Sequence, residues 1–302
     1  MTVIALTGGT GFVGSHVIDR ATAAGIELRA LTRRPQPDRA GVTWIAGALD
    51  DAASLATLVE GADAVLHVAG VINAPDRAGF AAGNIEGTRA VIAAARDAGI
   101  RRFVQVSSLA AREPGLSDYG WSKAEADKVL MASDLDWTIV RPPAIFGPRD
   151  SEMLELFKLA KWHVMPLPPA GGRLSVIAVE ELVRLLLALP TSNALTRQIV
   201  EPDDGRPGGW DHRELARAIG VATDSTVLPL PLPRVVLNAV AAGDGLVRGK
   251  GAKLTPDRVR YFCHKDWVSH VAPPADVWAP QVDTREALAA TAAWYRANGL
   301  LR

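Results

Sequence analysis

The sequence predicts a doubly wound α/β fold, and three observations lead to this class. Short apolar, β-branched runs alternate with longer helical patterns through the first half of the chain. These runs are apolar throughout, which is typical of parallel strands buried on both faces. A glycine-rich turn joins the first strand to the first helix. In such a fold the ligand lies at the carboxyl ends of the strands.

The elements follow in chain order. We predict strands at 3–6, 27–31, 42–45, 64–68, 103–106 and 137–140, with helices at 12–24, 51–60, 80–98 and 118–132. After Pro142 the pattern loosens into a helix at 151–162, a loop at 165–172, a helix at 177–189 and a strand at 198–201. We expect a doubly wound domain over 1–160 and 174–202, and a smaller C-terminal, substrate-binding domain over 161–173 and 203–302.

Composition and charge exclude several classes of function. The 302 residues have a formal net charge of zero, so nothing favours nucleic acid or an anionic membrane as a partner. Cys263 is the only cysteine and no two histidines have metal-ligand spacing, so we expect no disulfide and no metal site. No signal peptide and no apolar run of about 18 residues is present, which predicts a soluble, cytoplasmic protein. The segment 229–240 (PLPLPRVVLNAV) is interpreted as a buried packing helix, with a lid or a membrane-surface helix as alternatives.

The first strand runs into a glycine motif with the spacing G-x-x-G-x-x-G, at Gly8, Gly11 and Gly14. Glycines in this register permit a tight turn and a close approach of the backbone to a pyrophosphate, which the helix N-terminus then binds. The second strand ends in Arg33 and Arg34, where an NAD site usually carries an acidic residue. The sequence therefore predicts a dinucleotide site for NADP, with NAD as the alternative.

A serine, a tyrosine and a lysine follow at the sheet edge where this cofactor would lie. The strand 103–106 ends in Ser107 and Ser108, and Tyr119 begins the next helix with Lys123 one turn further on. A tyrosine can pass a proton to a carbonyl oxygen, and a lysine ammonium with an oxidised nicotinamide would lower its pKa from about 10. Tyr261 and Lys265 repeat the spacing, but no strand ending in serine precedes them, so we expect no catalytic role there.

Together these residues resemble the short-chain dehydrogenase/reductase superfamily, in its extended and atypical branch of epimerases, dehydratases and 3β-hydroxysteroid-type dehydrogenases. The motifs are TGGTGFVG, HVAG, NIEGT, VSS, YGWSK and VRPPAIFGP, and the resemblance covers most of the chain. It implies a Rossmann fold, NADP and a small-molecule substrate. The implied catalytic residues are Ser108, Tyr119, Lys123 and Asn84, the last supporting the lysine through water. The implied cofactor-binding residues are Gly8, Thr10, Gly11, Phe12, Val13, Gly14, Arg33, Arg34, Leu49, Val68, Ala69, Gly70, Ser107, Lys123, Pro142, Ala144 and Ile145.

Two features depart from the family pattern. The family's aspartate before Leu49 is replaced by Ala48, so only the Leu49 backbone and packing would serve the adenine side. The C-terminal part resembles an atypical subgroup that includes accessory subunits of respiratory complex I, in which turnover can be lost; retention of Tyr119 and Lys123 favours an enzyme.

Three functions are open at this stage. The preferred one is an NADP(H)-dependent oxidoreductase, a monomer or homodimer, that interconverts a carbonyl and a secondary alcohol. A nucleotide-sugar epimerase or dehydratase with recycled cofactor is the second, and a non-catalytic NADP(H)-binding scaffold or sensor is the third. Apolar residues near the nicotinamide loop favour a hydrophobic substrate, whereas Arg149 and Arg173 would suit an acidic head group. The apolar residues are Trp121, Phe146, Leu154, Phe157, Trp162, Val164 and Met165.

Overall fold

The computed structural model describes residues 2–249 and 255–301. In this part of the chain the strands are β1 (Val3–Thr7), β2 (Glu27–Thr32), β3 (Val42–Ala46), β4 (Ala64–His67), β5 (Arg102–Val106), β6 (Asp136–Val140), β7 (Ala144–Phe146), β8 (Val164–Leu167), β9 (Arg173–Leu174), β10 (Val176–Ala178), β11 (Gln198–Val200), β12 (Trp210–Asp211), β13 (Leu228–Pro231) and β14 (Asp266–Trp267). The α-helices are α1 (Phe12–Ala23), α2 (Ala52–Val59), α3 (Arg77–Phe80), α4 (Gly87–Asp97), α5 (Asp118–Met131), α6 (Glu152–Ala160), α7 (Val179–Ala188), α8 (His212–Ala222), α9 (Arg234–Arg248), α10 (Pro256–Phe262) and α11 (Thr284–Ala297).

Seven strands form a parallel sheet in the order β11-β6-β5-β4-β1-β2-β3. The chain starts in the middle of this sheet, moves outward to β3, and then returns to the other side of β1 with β4. This reversal creates a crevice beyond the carboxyl ends of β1 and β4, where open α/β sheets bind their ligands. The predicted doubly wound Rossmann fold is confirmed.

The central strands are buried because their side chains are apolar on both faces. Every residue of β4 and β5 is buried, and four of the five residues of β1 are buried. One face of the sheet packs on α2, α4 and α5 through a cluster that includes Leu58, Val91, Phe103 and Leu130. Such strands present their carboxyl ends, and not their faces, to solvent.

Three predicted elements differ from the structure. The helix expected over 80–98 is divided into α3, a π-helical turn (Ala81–Glu86) and α4. The loop expected over 165–172 overlaps β8, which pairs with β13. The helix expected from 177 begins only at Val179, because the β-branched run Val176-Ile177 pairs with β7 as β10.

The chain forms two compact units. Unit 1 comprises 1–142, 182–201 and 273–278, and it contains the seven-stranded sheet; unit 2 comprises 143–181, 202–272 and 279–302. Unit 2 has its own apolar core, in which Phe146, Phe157, Ile219 and Tyr295 are fully buried. The assignment of one domain to dinucleotide binding and the other to substrate binding stays a prediction, because the division into two compact units does not show what either unit binds.

Candidate active site

The turn between β1 and α1 leaves no room for side chains at two of its glycines. Gly8 has a φ of 75°, and a Cβ there would lie 2.6 Å from the backbone nitrogen of Ala69, just beyond β4. A Cβ on Gly14 would lie 2.1 Å from the carbonyl oxygen of Gly8. The turn therefore folds back tightly on itself and against the end of β4, at the switch point of the sheet.

The α1 N-terminus has the properties of an anion site. No side chain caps this helix, whereas Asp51, Ser117, Asp211 and Asp283 cap α2, α5, α8 and α11. The first amides of an α-helix have no partner within the helix, so those of α1 are open to a ligand. Thr10 and Gly11 are exposed at the tip of the turn. A dinucleotide pyrophosphate fits here, since it would supply the missing acceptors.

The other cofactor candidates of unit 1 lie at the same edge of the sheet. Phe12 and Val13 open α1, Arg33 and Arg34 are exposed beyond β2, and Ser107 follows β5. Leu49 packs against Gly87 at the start of α4. The fold also brings Val68, Ala69 and Gly70, beyond β4, and Pro142, beyond β6, to this edge. Ala144 and Ile145 are in β7 of unit 2, where they pair with β10.

The Ser108 hydroxyl lies near the phenol of Tyr119 and acts on its pKa. Ser108 begins a short 3₁₀ helix (Leu109–Arg112), and its hydroxyl accepts a bond from the amide of Ala110 at 3.2 Å. Tyr119 lies in the first turn of α5, half-buried, with its ring centroid 6.3 Å from that of Phe80. The two hydroxyls thus form a pair beside the carboxyl end of β5.

Lys123 is buried one turn beyond Tyr119, and its ammonium donates a hydrogen bond to the carbonyl of Val106 at 2.8 Å. Burial lowers the pKa of Lys123 to about 8, opposed by the charge of Asp127. The pKa of Tyr119 is raised, first by burial and then by Asp127, while the neighbouring Ser108 hydroxyl opposes the rise. The expected lowering of this pKa is therefore absent in the protein alone, where the phenol holds its proton at neutral pH.

Asn84 is held in the π-helical turn by three hydrogen bonds. Its side-chain oxygen accepts from the amide of Val71 at 2.6 Å, and its nitrogen donates to the Val71 carbonyl at 3.0 Å and to the Ser122 hydroxyl at 2.8 Å. Ser122 in turn donates to the carbonyl of Tyr119 at 2.8 Å. Asn84 therefore connects the chain beyond β4 to α5, and π-helical turns of this kind are frequent at functional sites.

Two buried groups next to Lys123 were missed at the level of sequence. Asp127 continues the stripe of Tyr119 and Lys123 along α5 and is fully buried. It accepts bonds from Gln105 at 2.8 Å and from Arg141 at 2.9 Å. Burial raises its pKa, and the positive charges of Arg141 and Lys123 lower it. The spacing i, i+4, i+8 of Tyr119, Lys123 and Asp127 was the feature of the sequence from which Asp127 could have been identified.

His67 is the second of these groups. Its ring nitrogens lie 2.7 Å from the hydroxyl of Thr7 and 3.1 Å from that of Thr88. Burial, together with the charge of Lys123, lowers the pKa of His67 to about 3, so this imidazole is neutral. It joins β1, β4 and α4 directly behind the glycine turn, and only the tertiary structure shows this.

The second tyrosine–lysine pair has different surroundings. The ring of Tyr261 packs on Trp267 with centroids 4.5 Å apart, while Lys265 is exposed beyond the end of α10. The two side chains thus do not share one helix face, in contrast to Tyr119 and Lys123.

The apolar residues expected to border a pocket divide into two groups. Phe146, Leu154, Phe157 and Met165 belong to the core of unit 2, so core packing accounts for them. In contrast, Trp162 and Val164 are exposed, and Trp121 in unit 1 lies under the guanidinium of Arg77. The Arg173 guanidinium, which was expected to suit an acidic head group, donates hydrogen bonds to the carbonyls of Gly208 and Gly209. These bonds hold the backbone before β12.

A family of NAD(P)H-binding proteins, two named enzymes and a solved NAD complex are similar to this chain. The NAD(P)H-binding family model matches residues 8–155. Ceramide reductase of Caulobacter vibrioides is 35% identical over 311 positions, which cover 99% of this chain and 96% of the relative. UDP-glucose 4-epimerase of Vibrio cholerae is 24% identical, covering 76% of this chain and 78% of the relative. The solved structure of MoeE5 in complex with UDP-glucuronic acid and NAD superimposes with a TM-score of 0.73 at 20% identity, covering 99% of this chain and 100% of that one.

The fold, the glycine turn before the uncapped N-terminus of α1 and these relatives lead to one assignment. The chain belongs to the NAD(P)-binding short-chain dehydrogenase/reductase superfamily, in its extended epimerase/dehydratase branch, and it is an NAD(P)-dependent enzyme of the oxidoreductase/epimerase type.

Proposed function

We propose that the protein is an NADP(H)-dependent reductase that converts the carbonyl of a hydrophobic, lipid-like substrate into a secondary alcohol. The observation that carries this proposal is the proximity of the Ser108 and Tyr119 hydroxyls, with Lys123 one turn further along α5. Similarity over nearly the full length to a protein named for the reduction of ceramide supports the reaction class and the substrate class.

Tyr119 is the proposed general acid. Its raised pKa keeps the phenol protonated at neutral pH, which suits proton donation to a carbonyl oxygen. The Ser108 hydroxyl, which neighbours this phenol, is proposed to orient the carbonyl oxygen and to stabilise the charge that develops on it. The nicotinamide supplies the hydride when bound.

Lys123 is proposed to stabilise the phenolate that remains after proton transfer. With a pKa of about 8, Lys123 is protonated in most molecules at pH 7. Its positive charge lies one helix turn from the phenol of Tyr119. Asn84 is proposed as a positioning residue, because its bonds tie Val71 to Ser122 within the same turn of α5.

NADP is the proposed cofactor because two guanidinium groups follow β2. Arg33 and Arg34 are exposed there, and no carboxylate lies between Glu27 and Asp38 in the sequence. Arginine accommodates a 2′-phosphate at this place in the fold, whereas a carboxylate would bind the ribose hydroxyls of NAD.

The chain itself offers a matched test of the catalytic pair. Tyr119→Phe should retain its fold and NADPH binding, and it should lose at least about a hundredfold in turnover, since general acid catalysis supplies that much. Tyr261→Phe, at the second site of the same spacing, should leave turnover unchanged. NADPH oxidation is followed by absorbance with long-chain ketones and ceramide-class carbonyl compounds as substrates. Normal turnover by Tyr119→Phe would refute the proposed acid.

A nucleotide-sugar epimerase is the second candidate, supported by the similarity to UDP-glucose 4-epimerase. That reaction returns the hydride to the substrate, so it consumes no NADPH. Conversion of a UDP-sugar without a change in nicotinamide absorbance would favour this candidate over the reductase.

A further inference from the structure

Three charged side chains lie together inside unit 1, next to Tyr119. Asp127 is fully buried and Lys123 is 6% exposed, while the Arg141 side chain, directly after β6, is 15% exposed. One carboxylate therefore accompanies two cations, and the neighbouring His67 is neutral. A buried charge is costly unless a charge of the opposite sign lies near it. The carboxylate of Asp127 thus compensates both cations of this cluster.

The Asp127 carboxylate is held from two strands of the sheet. Its Oδ1 accepts a hydrogen bond from Gln105 Nε2, in β5, at 2.8 Å. Its Oδ2 accepts a hydrogen bond from Arg141 Nε at 2.9 Å. Because each oxygen is bonded to a different strand, the carboxylate has a fixed position between α5 and the carboxyl ends of β5 and β6.

Lys123 has a neutral hydrogen-bond acceptor and a charged neighbour. Its ammonium donates to the carbonyl of Val106, and a Cβ on Gly70 would lie 3.5 Å from Nζ, so the charge lies at the edge of the sheet beyond β4. The negative charge that acts on it is that of Asp127, one turn further along α5. This charge opposes the effect of burial on the pKa of Lys123, which is about 8.

The charged groups on the elements packed against α5 have other partners. These elements are α3, the π-helical turn, α4, the 3₁₀ helix and β6. The pairs are Arg77 with Asp118, Glu86 with Arg89, Arg96 with Asp97, Arg101 with Asp136, and Arg112 with Glu201. Among the described residues, Asp127 is therefore the carboxylate that serves Lys123.

We propose that Asp127 is a positioning residue of this enzyme: its carboxylate, fixed by Arg141 and Gln105, is the buried counterion that keeps the Lys123 ammonium charged beside Tyr119. Asp127 acts through Lys123. The inference rests on the proposed function, because Lys123 is there assigned to stabilise the phenolate of Tyr119.

Two variants remove the carboxylate with little change in shape. Asp127→Asn is isosteric, and Arg141 can still donate to its amide oxygen. Gln105 Oε1 is buried and has no hydrogen-bond partner among the described residues, so it can accept from the new amide once the Gln105 amide turns over. Asp127→Asn/Arg141→Gln removes both charges of the ion pair and leaves no unpaired guanidinium. Loss of a whole buried pair is tolerated better than loss of one partner, so the double variant should fold even where the single one does not.

Nuclear magnetic resonance of the full chain labelled with ¹³C at lysine Cε tests the counterion without substrate or turnover. The signal of Lys123 is identified by its loss in Lys123→Met. In the parent protein it should titrate with a midpoint of about 8. In Asp127→Asn and in the double variant the midpoint should fall by at least about one pH unit, since a nearby opposite charge moves a pKa by about 1–3.

The pH dependence of kcat/KM, followed by NADPH oxidation, tests the consequence for the reaction. At pH 6 Lys123 is charged with or without its counterion, so Asp127→Asn should be about as active as the parent. At pH 8 it should be about fivefold less active, which corresponds to a midpoint one pH unit lower. Glu201→Gln is the matched control, because it removes another buried carboxylate, 3.3 Å from Arg112. Its activity relative to the parent should be the same at both pH values.

Two results would overturn the positioning role of Asp127. One is an unchanged midpoint of Lys123 in both variants. The other is a loss of kcat/KM in Asp127→Asn that is equal at pH 6 and pH 8, as a purely structural defect would give. If the midpoint falls in the variants while the parent reduces no carbonyl compound, the proposed function fails and the counterion assignment stands.

Discussion

Lys123 lies among buried groups that act on its charge in opposite directions. Burial lowers its pKa to about 8, and the nearby Asp127 carboxylate opposes the change. Asp127 is itself held by Arg141 and Gln105, whereas His67 stays neutral beside the lysine. The ammonium thus keeps its charge near neutral pH without an exposed counterion, which is the state that the proposed reaction needs.

The proposed preference for NADP over NAD depends on two residues. Replacing Arg33 and Arg34 by serine should weaken NADPH binding by at least about tenfold to a hundredfold, because the loss of even one bond between a guanidinium group and the 2′-phosphate costs about 1.5–3 kcal/mol. NADH binding should change little, since NADH lacks the 2′-phosphate. Calorimetric titration of both cofactors measures the ratio. If the double substitution weakened the binding of NADPH and NADH equally, this would contradict the proposed contact with the 2′-phosphate.

At the scale of elements, the π-helical turn before α4 places Asn84. A regular helix over 80–98 was the expectation, and hydrophobic periodicity gave no sign of the interruption. The turn lets the Asn84 side chain bond both backbone groups of Val71, beyond β4, and Ser122 of α5. Such a turn is stabilised by these long-range bonds, which a local pattern does not encode.

Substitutions at two glycines near the β1–α1 turn should have different effects, one on protein stability and the other on cofactor affinity. Gly14→Ala should destabilise the protein by about 1–3 kcal/mol or more, because the new methyl group would overlap the carbonyl oxygen of Gly8. Gly11→Ala should fold almost normally, since its Cβ would lie 3.4 Å from the same oxygen.

The Gly11→Ala methyl group would, however, stand at the exposed tip of the turn, so NADPH affinity should fall by about tenfold, equivalent to about 1.4 kcal/mol. Urea unfolding and NADPH titration of both variants separate the two effects. A Gly14→Ala protein as stable as the parent would show that the turn is not closed as described.

At the scale of the whole molecule, His67 couples the stability of unit 1 to pH. Its pKa is about 3 in the folded chain and 6.5 in the unfolded one, so between these values the unfolded state binds more protons. The free energy of unfolding should therefore fall, as pH drops below 6.5, by up to about 1.4 kcal/mol per pH unit. Above pH 6.5 this contribution is constant.

In the His67→Gln variant the free energy of unfolding should fall less steeply as pH drops below 6.5, because glutamine does not titrate. Asp150, whose pKa burial raises to about 6, has the opposite dependence on pH, but both proteins retain it. The comparison is therefore the difference in urea unfolding free energy between the two proteins at pH 7.5 and at pH 5.5. Parallel pH profiles would show that the imidazole is not buried and neutral.

Much of unit 1 follows from local pattern. Apolar strands, the glycine spacing and the serine–tyrosine–lysine order predict the doubly wound sheet and the candidate residues, because each is encoded within a few neighbouring positions. In unit 2 the pattern fails at β8 and β10, where short strands are stabilised by partners distant in sequence. Phe146 and Phe157 were expected near a pocket, yet they lie in a core whose buried members come from three separate stretches of the chain, 146–178, 210–227 and 287–301.

By itself the sequence determined the sheet, the glycine turn after β1 and the residue types available for proton transfer, since periodicity and spacing are local properties. Only the tertiary structure decided the protonation of Tyr119, the neutrality of His67 and the exposure of Val235, Val236 and Val240 in the segment 229–240, for which the expectation of a buried packing helix is wrong. Each of these depends on which side chains lose contact with water. Burial is a property of the packed chain, and no segment carries it alone.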